Sequence, residues 1–109
     1  MSKYGNRKTF IGSVGFDSKR EAERYKELLL LQRSGAINNL QLQVPFELIP
    51  AIRENGKVVQ RPIKYVADFT YSTRFGVYVV EDAKGMRTEV YKIKKKLMRW
   101  KYGIQIKEV

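Results

Sequence analysis

The chain contains no cysteine and no histidine. These two absences remove disulfides, zinc ligation by thiolate or imidazole, thiol nucleophiles and every histidine-based general base. An active site here has to be built from carboxylates, lysine, tyrosine or serine. The lack of cysteine says little about redox compartment, because a reduced cytosolic protein needs none, but it excludes zinc-finger modes of DNA binding. No apolar run approaches the length of a membrane span and no signal-peptide pattern opens the sequence, so a cytoplasmic protein with no membrane partner is expected. Acid is scarce as well. Eleven Asp and Glu face 22 Lys and Arg, a net charge of +11 at pH 7. A polyanion is therefore the natural partner, and nucleic acid is favoured over an acidic membrane.

What is present is ordinary for a soluble domain: 109 residues, 43% apolar and 30% charged, enough for one core and one domain over 1–109. Residues 1–15 are basic and carry Gly5, Gly12 and Gly15, which reads as a loose arm whose Lys3, Arg7 and Lys8 can follow phosphates. Ser18 with Glu21 has capping-box form, and Ala22, Tyr25, Leu28, Leu29 and Gln32 follow at helical spacing before Gly35. Residues 42–53 read as a strand whose Pro45 and Pro50 point to an edge or to bulges. Asn55 and Gly56 then predict a type I′ turn. Strands are expected over 58–72 and 77–84. Thr88 can cap a second helix, in which Val90, Ile93, Leu97 and Trp100 form an apolar stripe before Gly103, and 104–109 fit a short last strand. The order is αβββαβ, and no internal repeat or linker interrupts it.

Two of these strands carry chemistry. Tyr-Val-Ala-Asp-Phe at 65–69 puts one Asp on an apolar strand, and Val-Val-Glu-Asp-Ala-Lys-Gly at 79–85 puts Asp-x-Lys on the next. Strand side chains alternate faces, so Asp82 and Lys84 share the side of Val80 while Glu81 and Ala83 take the other. If the strands are neighbours, Asp68 sits close to Asp82, and two such carboxylates form half a hard-cation site for Mg²⁺. Lys84 stands beside it, where an ammonium can stabilise charge developing on a phosphodiester. The bland alternative is a surface ion pair at two strand ends.

These motifs resemble the PD-(D/E)XK nuclease superfamily. Within it the chain is most similar, over residues 9–109, to short phage-encoded members with a Phe-Asp-Ser-Lys-Arg-Glu-Ala-Glu helix start, a Tyr-x-Ala-Asp-Phe strand, a Val-Glu-Asp-x-Lys-Gly strand and a Lys-rich second helix. The resemblance implies a restriction-endonuclease-like α/β core, a mixed sheet flanked by two helices. It also implies a Mg²⁺-dependent endodeoxyribonuclease, with Mn²⁺ able to substitute. By the same resemblance Asp68, Asp82 and the Ala83 carbonyl hold the metal, Lys84 is the catalytic lysine, and Glu21 is the acid contributed by the first helix. Ala67 stands where the family name has proline, on the face away from the site. Glu21 is preferred to Glu23 because it shares a helix face with Tyr25 and Leu28, although a capping box alone also explains it.

The second helix has Lys92, Lys94, Lys95, Lys96 and Arg99 with no acid among them, which reads as a phosphate-contacting surface. The stripe turns Lys92, Lys95, Lys96 and Arg99 outward, leaves Lys94 near the site and makes Trp100 a core residue rather than a base-stacking platform. By analogy with small basic members of the superfamily, the expected substrate is branched DNA such as a Holliday junction, acted on by a homodimer in the host cytoplasm. No nucleotide cofactor is expected. The rival readings are a non-catalytic basic DNA-binding protein that keeps the fold, and an RNA-binding module.

Overall fold

The computed structural model describes residues 8–83 and 87–109. A small hairpin comes first, β1 (Thr9–Ile11) and β2 (Val14–Phe16), paired antiparallel. It corrects the expected loose arm from residue 9 onward: Phe16 is buried, and Ile11 and Val14 pack beside it. Lys3 and Arg7 lie outside the described residues.

Helix α1 (Lys19–Arg33) starts where Ser18 Oγ accepts the Glu21 N–H at 3.1 Å. Strand β3 (Ile37–Ile49) is longer at its start than expected and ends before Pro50. It is an edge strand, so Pro45 removes no ladder donor that the sheet requires. A separate hairpin follows, β4 (Ile52–Glu54) and β5 (Lys57–Gln60), with Asn55 and Gly56 both at positive φ, 52° and 79°, as a type I′ turn demands. The single strand expected over 58–72 is broken, because Arg61 and Pro62 intervene before β6 (Ile63–Thr73). β7 (Tyr78–Asp82), helix α2 (Glu89–Tyr102) and β8 (Lys107–Glu108) complete the chain. The central sheet has the order β3-β6-β7-β8, antiparallel except for the parallel β7/β8 pair. With the two hairpins set aside, the elements run αβββαβ.

Each helix closes its own core. Beside α1 are Phe16, Ala22, Leu28, Ile37, Phe69 and Tyr71. Beside α2 are Leu48, Tyr65, Ala67, Val80, Met98 and Ile106.

Both predicted caps of α2 are present: Thr88 Oγ1 accepts the Tyr91 N–H, and Gly103 takes the left-handed C-cap with φ 68°. Its rotation differs from the expected one. Met98 is fully buried, with Tyr91 and Leu97 packed around the same core, whereas Val90, Ile93 and Trp100 are 61%, 61% and 79% exposed. The apolar stripe therefore faces largely outward and Trp100 is not a core residue. Lys94 and Lys95, half-buried, take positions on the inner side that an apolar stripe would otherwise fill, as long lysine stems allow. Met98→Ala is expected to cost about 3 kcal/mol in chemical denaturation, because it leaves a cavity in the α2 core. Trp100→Ala is expected to stay within about 0.5 kcal/mol of wild type, and the reverse ranking would rotate the helix.

Candidate metal centre

β6 and β7 pair from Ser72/Tyr78 to Phe69/Glu81, and Asp68 and Asp82 are the next residue of each strand beyond that last pair. Both are buried. Asp68 Oδ2 accepts the Ala83 N–H at 2.8 Å, and Gln43 Nε2 stands 3.5 Å from its other oxygen, the outer limit of a hydrogen bond. Asp82 Oδ2 accepts the Tyr65 hydroxyl at 2.8 Å. Burial, and then the Asp82 carboxylate, hold the Tyr65 phenol far above its ordinary range, so it stays a donor and fixes one oxygen of Asp82.

Glu81, the neighbour of Asp82, points the other way into α1. It is fully buried and gripped by Arg24 through Nε at 2.8 Å and Nη2 at 2.7 Å, with a further hydrogen bond from Tyr71. That bidentate pair raises the Arg24 guanidinium further above its usual range, while burial, and then Glu81, push the Tyr71 phenol up to about 12. The face separation expected from strand parity holds: Glu81 fastens α1 to the sheet, and Asp82 meets Tyr65.

Asp82 lines a cleft of about 360 Å³ together with Lys64, Tyr65, Val90, Tyr91 and Lys94. The wall formed by α2 is anchored by Glu108, which accepts from Arg87 at 2.9 Å, Tyr91 at 2.8 Å and Lys95 at 3.2 Å. Arg87 above all, then Tyr91, lower the Glu108 carboxyl to about 2. Glu21 is buried and lines a second cleft of about 310 Å³, which also takes in Lys8, Asp17, Leu42 and Gln43. Glu23 is exposed, in keeping with the preference for Glu21. Gln43 thus joins the Glu21 cleft to Asp68. It does so from a left-handed backbone, φ 53°, a conformation that costs a non-glycine residue energy and recurs at functional sites.

Among the described residues no group of three or more His, Cys, Asp or Glu is gathered closely enough to hold a metal ion. Two adjacent carboxylates nonetheless fit Mg²⁺, which commonly takes one or two from the protein and fills its octahedron with water and substrate phosphate. Ala83 is buried with its N–H committed to Asp68. Lys84 lies outside the described residues.

Residues 1–108 match the family described as Protein of unknown function (DUF1064). The chain belongs to the DUF1064 family. No curated protein and no solved structure matches it. In this DUF1064 protein the predicted basic residues divide. Lys94 lines the Asp82 cleft as expected. Lys95 turns inward to Glu108 instead of facing out, and Lys92 pairs with Glu89 at 3.2 Å, so an outward set without acidic partners is corrected to Lys96 and Arg99, which have no ion pair among the described residues.

Gln43 and Tyr65 were invisible as site residues. In Leu-Gln-Leu-Gln-Val, Gln43 reads as the solvent side of a strand, and Tyr65 reads as core, although its hydroxyl reaches Asp82.

The Glu81 clamp predicts a stability effect that the site itself does not share. Glu81→Gln is expected to cost on the order of 2 kcal/mol in urea unfolding, because Arg24 loses its buried bidentate partner and keeps only the exposed Glu27, 3.1 Å away. Replacing Arg24, Tyr71 and Glu81 together by Met, Phe and Leu should recover most of that loss, since no polar group is then stranded.

Proposed function

We propose that this DUF1064 protein is a divalent-metal-dependent DNA endonuclease built on a restriction-endonuclease-like core. The observation that carries the reading is the pair Asp68 and Asp82: two buried carboxylates on neighbouring strands just past the last β6/β7 pair, with Asp82 on a cleft that also holds Lys64 and Lys94. A net charge of +11 supplies attraction for a polyanion rather than for a small acidic metabolite.

Each residue has a task in phosphodiester hydrolysis. The Ala83 N–H holds Asp68, and Tyr65 holds Asp82, so both carboxylates are oriented before substrate arrives. A Mg²⁺ or Mn²⁺ ion at these two residues supplies positive charge to the scissile phosphate and acidifies water. Lys84, two residues beyond Asp82, is assigned to the extra negative charge of the pentavalent phosphorus. Glu21, across Gln43 from Asp68, is assigned to orient the attacking water. Lys64 and Lys94 draw the backbone into the cleft, and Lys96 and Arg99 hold flanking phosphates. One such site cuts one strand, so resolving a branched substrate such as a four-way junction takes two copies.

Incubation with supercoiled, linear and four-way-junction DNA, with Mg²⁺ or with EDTA, tests this. Wild type is expected to cleave only with the metal, and Asp82→Asn and Lys84→Ala each to lose at least about 100-fold in rate, typical of removing one group that stabilises developing charge. Tyr65→Phe, which frees an oxygen of Asp82 without removing the carboxylate, is expected to lose less. A wild type that binds DNA with no cleavage under any metal would establish a binding protein instead.

A further inference from the structure

We infer that the outward face of α2 is a stacking platform for unpaired DNA bases, with Trp100 as its aromatic surface; this rests on the DNA partner proposed above and narrows the substrate to DNA that is single-stranded at or beside the cleft. Trp100 is the sole tryptophan and is 79% exposed. Ile93, two turns away on the same side, is 61% exposed. The packed side of α2 is the one bearing Met98 and Tyr91, so nothing in the core requires an indole on the opposite side. Leaving so much apolar ring in water brings no stability to the fold.

Charge decides the occupant. Lys96 and Arg99, without ion pairs among the described residues, adjoin Trp100 on the helix surface, and Lys92 lies one turn nearer the cleft, its ammonium shared with Glu89. A second copy of this chain docked here would bring the same cations face to face within a molecule already at +11, which is repulsive. A nucleic-acid strand meets both needs at once: its phosphates answer the cations and its base faces cover the indole. Duplex DNA offers phosphates but keeps its base faces stacked on one another, so it can satisfy only half of this surface. Stacking on a base face also reads no sequence, in keeping with a single small domain.

The C-terminal turn of α2 is held firmly enough to carry a platform. Lys101 Nζ donates to the Glu47 carbonyl at 3.0 Å and the Tyr102 hydroxyl to the same carbonyl at 2.5 Å, and Tyr102 packs edge-on against Phe46 with ring centroids 5.7 Å apart. These contacts fix the last turn to β3 on the side away from Trp100. A strand lying over Trp100 and Lys96 is then led along the helix toward Lys94 and Asp82, which share one cleft.

The lone indole makes the test direct. Wild-type protein in EDTA, so that nothing is cut, is titrated with single-stranded oligothymidine and with a duplex of equal length, while indole emission is excited where tyrosine does not absorb. Labelled-DNA anisotropy gives affinities for the variants. Oligothymidine is expected to quench Trp100 strongly and the duplex to change it little. Trp100→Ala should weaken single-strand binding by about 5- to 100-fold, the range for loss of one stacked base, and leave duplex binding within about twofold. Trp100→Phe, which keeps a ring, should restore part of the loss. Replacing Lys96 and Arg99 by Ala should weaken both DNAs and flatten the salt dependence. If wild type binds DNA but Trp100→Ala binds the single strand equally well, the platform is overturned while the DNA partner stands. If wild type binds neither DNA, both fall. Emission that shifts to the blue with protein concentration alone, alongside dimer formation in sedimentation, would assign the face to a second copy and overturn the proposal.

Discussion

Placing a carboxylate inside a protein costs several kcal/mol unless cations or hydrogen-bond donors stand in for water. This chain buries four of them, Glu21, Asp68, Glu81 and Asp82, out of only eleven acids. Glu81 is matched by Arg24 and Tyr71, and that match fastens α1 to the central sheet. Asp68 and Asp82 are held from the side by the Ala83 N–H and by Tyr65, with Asp82 reaching a cleft. A strand that alternates faces sends two neighbouring acids, Glu81 and Asp82, into opposite environments: one into α1, the other beside Asp68. The fold is therefore secured on one side of β7 and left available for chemistry on the other.

Helix α2 serves this arrangement from its two long sides. Inward, Met98 fills the core and Tyr91 and Lys95 grip Glu108, which sits opposite Asp82 in the β7/β8 ladder. The wall of the cleft is in this way tied to the strand bearing the candidate ligand. Outward, the same helix shows Ile93 and Trp100 between cations. A helix packed through Met98, Tyr91 and Leu97, with Val90, Ile93 and Trp100 in water, has traded part of its own burial for a surface.

The local signals were legible wherever short-range chemistry decides. Ser18, Thr88 and Gly103 cap helices as their side chains or lack of one dictate, and Asn55 with Gly56 makes its turn. The opposite directions of Glu81 and Asp82 followed from period two alone. Apart from the local break at Pro62, failures came where long-range packing overrides pattern. Pro62 divides a run of strand-forming residues that looked continuous. The hairpin over 9–16 depends on Phe16 reaching a core assembled mostly from distant elements. The inner face of α2 was misread because Lys94 and Lys95 take inner positions while Trp100 does not. Gln43 became visible only through a backbone angle that no alternation pattern encodes.

The account turns on Asp68 and Asp82 jointly holding a divalent cation, and thermal unfolding with Mg²⁺ against EDTA addresses that without relying on any substrate. A cation that binds only the folded state adds RT ln(1 + [L]/Kd) to stability, so near-saturating Mg²⁺ should raise the midpoint of wild type by about 5 °C or more. Asp68→Asn, which removes one of the two carboxylates and keeps the side chain's shape, should abolish that rise. A variant that still gains the full increment from Mg²⁺ would contradict the two-carboxylate site.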